Sequence, residues 1–205
     1  MKLKTKDSNT ETDILNAAEV IFQRKGLDGA RMQEIADEAG INKALLHYYF
    51  RSKQLLFETV FHKAFSLIAP QIKAILDDNS SIDDKIKNFT NNYIAFISEH
   101  PYLPNFIFQE LNRNTDFISK VQKTIGFPTI DKFKKQLERE VKKGTIIPIK
   151  AEQLFINILA LNIFPFLAKP LIKSITNTDE NTFNHLMEER KTEVSNFIIN
   201  AIKRK

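Results

Sequence analysis

The 205-residue sequence predicts an all-α protein, and three observations carry that prediction. Only five glycines occur, alternation of the strand type is nearly absent, and apolar residues recur at intervals of three and four. Ile14, Ala18, Ile21 and Phe22 form such a stripe near the start; Phe183, Met187, Val194, Phe197, Ile198 and Ala201 form one near the end.

Breakers divide the chain into about nine predicted helices. The first, roughly 10–25, ends at Gly26-Leu27-Asp28-Gly29. A second over 32–39 ends at Gly40, and Asn42 can cap a third over 43–50. Ser52 can cap the fourth, 53–77, which Pro70 is expected to kink or divide because proline lacks a backbone donor. The fifth, 82–99, lies between Asp77–Ser81 and His100-Pro101. The sixth covers 102–112 and the seventh 116–143, where Gly126 and Pro128 are expected to interrupt it before Gly144. The eighth and ninth cover 151–174 and 180–203, separated at Thr176–Asp179. Short helices followed by long ones imply a small head, 8–68, on a larger helical body, 69–205.

The segment Met32 to Phe50 carries the most information. Ala36 is small where a second helix must cross closely, and Gly40 tolerates a left-handed backbone after the first helix. Ile35, Ala39, Ile41, Leu46 and Phe50 supply the apolar contacts of the crossing. This is the packing pattern of a helix-turn-helix, whose second helix enters the DNA major groove. Lys43 and His47, four apart, and Ala44 and Tyr48 beside them would then face the duplex. Lys43 can donate to guanine O6 or N7, while Ala44 can touch a thymine methyl or simply permit close approach. His47, Tyr48 and Tyr49 can donate to phosphate oxygens, with Arg51 and Lys53 following. The competing reading is a solvated helix face with Tyr49 turned into the core.

The run ILNAAEVIFQRKGLDGARMQEIADEAGINKALLHYYFRSKQLL resembles the TetR-type transcriptional regulators. Ala17-Ala18, Phe22, Gly26, Ile35-Ala36, Ala39-Gly40-Ile41, Tyr48, Phe50, Lys53 and Leu56 carry the resemblance, which covers about the first quarter of the chain. It implies a homodimer whose heads bind the half-sites of a palindromic operator, as a repressor released by a small inducer. It also places Lys43 and Ala44 against bases, and His47, Tyr48, Tyr49 and Lys53 against phosphates. Departures are present: His47 stands where tyrosine is common, and Leu45 where threonine or serine is. Ala30-Arg31 replaces a hydroxyl pair, and Gln33 replaces a basic residue. Arg31 can make up for the lost hydroxyl contacts, so Arg31 and Gln33 join the candidate DNA-binding residues.

In the body, the resemblance implies an apolar inducer pocket. The chain has 17 phenylalanines and no tryptophan, and Phe96, Phe106, Phe127 and Phe155, with Gln109 and Asn162, are the candidate contacts. Core filling by these rings is the competing reading. EQLFINILALNIFPFLAKPLI is apolar on more than one face, which predicts a dimer interface formed by the last two predicted helices rather than a purely internal core helix.

Charge adds little. The net charge is +5, but residues 1–60 hold nine basic and nine acidic side chains. The surplus lies at 117–150, with nine basic against three acidic, and is most simply a solvated face. With no cysteine there is no disulfide, thiolate metal site or cysteine nucleophile, and no cofactor or metal is expected. No zinc-protease motif, phosphate-binding glycine loop or G-x-S-x-G elbow appears, which argues against an enzyme. The polar N-terminus lacks an export signal and no apolar run reaches membrane-spanning length, so a cytoplasmic protein without a membrane partner is expected. The alternative function is a helical protein-interaction regulator with a vestigial DNA-binding head.

Overall fold

The computed structural model describes residues 3–113 and 129–204. Among these are ten helices: α1 (Leu3–Gly29), α2 (Met32–Glu38), α3 (Lys43–Tyr49), α4 (Lys53–Asp77) and α5 (Ile82–Glu99) lead the chain. They are followed by α6 (Leu103–Arg113), α7 (Asp131–Lys143), α8 (Ala151–Leu167), α9 (Lys169–Thr176) and α10 (Glu180–Ile202). The all-α prediction is therefore correct. Gly126, Phe127 and Pro128, and the start of the predicted seventh helix, lie outside the described residues.

Three boundaries differ from expectation. α1 begins at Leu3 rather than near residue 10, and Gly26, at φ 66° and ψ −179°, breaks its helical path before Gly29. Pro70 does not divide α4, which runs on to Asp77. The predicted helix 151–174 is two helices, α8 and α9, bent by 75° at Ala168. Pro170 sits in the first turn of α9, where its missing N–H would be unpaired anyway. No single helix among the described residues is long and apolar enough to cross a membrane.

The chain forms two compact units. One holds the sequence up to Ser66 together with α6 from Phe106; the other holds Leu67–Asn105 and the C-terminal part. In the first unit Ile14, Ala18, Ile21 and Phe22 of α1 meet Ile35, Ala36, Leu46, Leu56, Phe57 and Phe61, all buried. Phe22 packs edge-on against Phe57 at 4.9 Å, and Phe106 reaches the same ring at 5.6 Å. In the second unit α5 and α10 form the main packed pair, burying Ile86, Phe89, Tyr93 and Ile97 of α5 with Phe183, Val194 and Ile198 of α10. α8 adds Leu154, Ile158 and Phe166. Lys203, at the end of α10, pairs with Asp83 in the first turn of α5 at 3.3 Å, so the two helices run antiparallel.

Pro165 lies inside α8 and cannot donate to the Leu161 carbonyl four residues earlier. Arg190 of α10 supplies the missing donor: its Nη2 reaches the Leu161 oxygen at 2.7 Å. A gap in the backbone ladder of one helix thus becomes an anchor for its neighbour.

Candidate DNA-binding site

The α2–α3 unit is shaped by its turn. Gly40 has φ 67°, and the amides of Gly40 and Ile41 donate to Asp37 O at 3.1 Å and Ala36 O at 3.0 Å. This is the Schellman arrangement, which satisfies the last carbonyls of α2 and turns the chain within a few residues. Asn42 then caps α3 by accepting from the Leu45 amide at 2.8 Å, and Ser52 accepts from the Leu55 amide at 3.1 Å at the start of α4. Of the residues expected to fix the crossing, Ile35, Leu46 and Phe50 are buried, while Ala39 and Ile41 are only half-buried.

α3 is held by one side that carries Leu46 and Phe50, with Tyr49 half-buried and edge-on to Tyr48 at 5.5 Å. Lys43, Ala44, His47 and Tyr48 are exposed, and Tyr48 is 79% exposed. The same short helix therefore carries all four residues that the sequence assigned to the DNA-facing side. Arg31 is exposed at the N-terminal boundary of α2. Gln33 is also exposed, but its amide donates to Asp37 at 2.8 Å, one turn along the same helix. The adjoining α1–α2 contact includes Lys25 and Glu34 at 2.9 Å, and the Lys25 hydrogen bond holds the Glu34 carboxyl below its ordinary pKa.

Lys53 has a role the sequence did not reveal. Its ammonium donates to the backbone oxygens of Ala30 at 2.9 Å and Asp28 at 3.3 Å, tying the start of α4 to the end of α1. An ammonium has three donors, so one remains for a phosphate. Lys53→Ala is expected to cost about 1 kcal/mol, seen as a melting temperature lower by about 2–4 °C, and to reduce the salt dependence of DNA binding by about one unit. Thermal unfolding and a salt titration measure the two effects separately.

The proposed ligand residues do not gather in the same way. Phe106 is buried against Phe57 and Phe61 in the first unit, and Gln109 is exposed. Phe96 and Phe155 are half-buried in the second unit, Phe96 lying 4.8 Å from the His100 ring. Asn162 is fully buried; its Nδ2 donates to Ile158 O at 2.7 Å and Thr90 Oγ1 at 3.3 Å, while its Oδ1 has no partner. Two surface grooves of about 600 and 630 Å³ border α7. They are lined by Lys134, Leu137, Ile149 and Lys150, and by Asp77, Lys132, Lys135 and Arg139, and neither includes a proposed ligand residue. Near them, Lys85 is buried with its Nζ unpaired, 5.8 Å from the Phe133 ring centre, and burial lowers its pKa.

A glycine-turned helix pair, with a second helix that buries one flank and exposes a cationic and phenolic one, defines a helix-turn-helix DNA-binding protein. Residues 14–60 match the model of bacterial regulatory proteins of the tetR family. The chain is 25% identical over 193 residues to the HTH-type transcriptional regulator RutR of Escherichia coli K12, covering 93% of this chain and 89% of RutR. It is 32% identical over 101 residues, about half of each chain, to the HTH-type transcriptional repressor SCO4008 of Streptomyces coelicolor. The fold resembles that of the hemolysin II transcriptional regulator HlyIIR, with a TM-score of 0.66 at 23% identity, covering 97% and 99% of the two chains. These likenesses support a DNA-binding transcriptional regulator whose residues 14–60 are of the TetR type.

Proposed function

We propose that the chain is a ligand-responsive repressor that binds a palindromic operator as a homodimer and is released by a small, largely apolar inducer. Residues 8–68 bind DNA, and residues 69–205 hold the ligand and the dimer face. The observation that carries this reading is the exposed flank of α3, where Lys43, Ala44, His47 and Tyr48 stand together on a helix fixed by a tight turn. Arg31, Gln33, Tyr49 and Lys53 flank it and contact the backbone of the duplex. SCO4008, similar over half the chain, is described as a repressor, which supports that direction of control.

For the inducer, Asn162 offers a buried oxygen with no partner among the described residues, and it is the strongest of the polar contacts. Phe96 and Phe155 supply apolar wall in the same unit. A ligand that prefers one of two conformations by a few kcal/mol changes operator occupancy by orders of magnitude.

The test is binding of purified protein to genomic DNA fragments, including its own upstream region, across a salt series. One footprinted, palindrome-like site supports the reading, and ligands can then be screened for release of that complex. On such a site Lys43→Ala is expected to weaken binding by about 10-fold and to change base preference at one position of each half-site. Equal weakening on all sequences would remove Lys43 from base reading. Uniformly weak wild-type binding would favour a protein partner instead.

A further inference from the structure

α3 exposes an apolar strip made of Leu45, Ala44 and the ring of Tyr48. Leu45 is 36% exposed, Tyr48 one turn later is far more so, and Ala44 is exposed beside them. With about 100° between successive residues, Ala44 and Tyr48 point away from the buried Leu46 and Phe50. Leu45 adjoins them on one flank, and Lys43 and His47 lie on the other. The Leu45 amide already donates to Asn42 Oδ1, and the leucine side chain has neither donor nor acceptor. It cannot hold a phosphate or pair with a polar base edge. The apolar group that bases present in the major groove is the C5 methyl of thymine. Leu45 is also in the first turn of α3, the end of such a helix from which base edges are reached.

We propose that Leu45 selects thymine at one position of each operator half-site by packing on its C5 methyl group. The proposal rests on the reading of α3 as the helix that enters the major groove. Leu45 then sets specificity on one flank of the helix by apolar contact, while Lys43 sets it on the other by hydrogen bonding.

The experiment uses the full-length protein and an operator recovered by selection from random duplexes. Each thymine is replaced in turn by deoxyuracil, which removes the C5 methyl and leaves the pairing edge intact. At one position of each half-site the wild type is expected to lose about three- to fivefold in affinity, the size expected for one methyl returned to water. Leu45→Ala should show no loss at that position while keeping any loss at the others. Indifference of the wild type to deoxyuracil at every thymine would overturn the proposal. So would a loss that persists undiminished in Leu45→Ala, since another side chain would then be touching the methyl. Failure of the wild type to select any duplex would overturn the DNA-binding assignment of α3 along with it.

Discussion

Phe197→Glu is expected to convert the dimer to monomers at micromolar concentration and to weaken operator binding by at least 100-fold. Phe197 is 67% exposed on α10, and Phe164 and Ile156 are 56% and 54% exposed on α8. Arg190 bonds Leu161 O, which ties α10 to α8, and Lys169 at the start of α9 lies 5.1 Å from the centre of the Phe183 ring of α10. The proposed dimer interface brings these exposed side chains of α8 and α10 together as one apolar face against the partner. Large exposed apolar faces of this kind mark contact surfaces, and buried aromatic anchors contribute about 2–4 kcal/mol each. A carboxylate placed there would be buried twice in that interface, once from each protomer, because of the two-fold symmetry. Sedimentation and operator binding measure the two effects. A dimer that survives both Phe197→Glu and Phe164→Glu would move the interface elsewhere.

Arg190→Met is the second large effect. It removes the donor that satisfies Leu161 O and leaves that carbonyl unpaired beside Pro165, at a cost of about 2–3 kcal/mol. For a chain of this length that lowers the melting temperature by roughly 4–10 °C. The informative measurement is rescue. Pro165→Ala restores an amide at the position that would normally donate to Leu161 O, so the double variant should recover most of the loss. If both substitutions destabilise additively, Arg190 acts through packing or charge rather than by completing the helix.

The sequence carried the head almost in full, and the reason is local. Gly40, Asn42 and Ser52 act on amides within a few residues of themselves, so a turn and two caps can be read from short spacings. The spacing of Leu46 and Phe50 likewise fixes which flank of α3 is buried. Lys53 was harder to read, because its partners Asp28 and Ala30 are more than twenty residues away. The same applies to Arg190: an unmatched carbonyl four residues before Pro165 follows from the sequence, but the residue that answers it does not. The bend at Ala168 was missed for a different cause. The apolar pattern continues through it, and periodicity alone does not distinguish one helix from two that meet at an angle. The ligand residues were least legible, since a pocket depends on which faces of several helices converge, and Phe96, Phe106 and Gln109 belong to different units or surroundings.

The slender attachment of α3 has an evolutionary consequence. Its place is set by Leu46, by Phe50 just after it, by the glycine turn before it and by the Asn42 cap. Lys43, Ala44, Leu45, His47 and Tyr48 are exposed and contribute little to the core. Drift at these five positions is nearly free of folding cost, so a duplicated copy of this gene could acquire a new target promoter by a few substitutions while inheriting its stability unchanged.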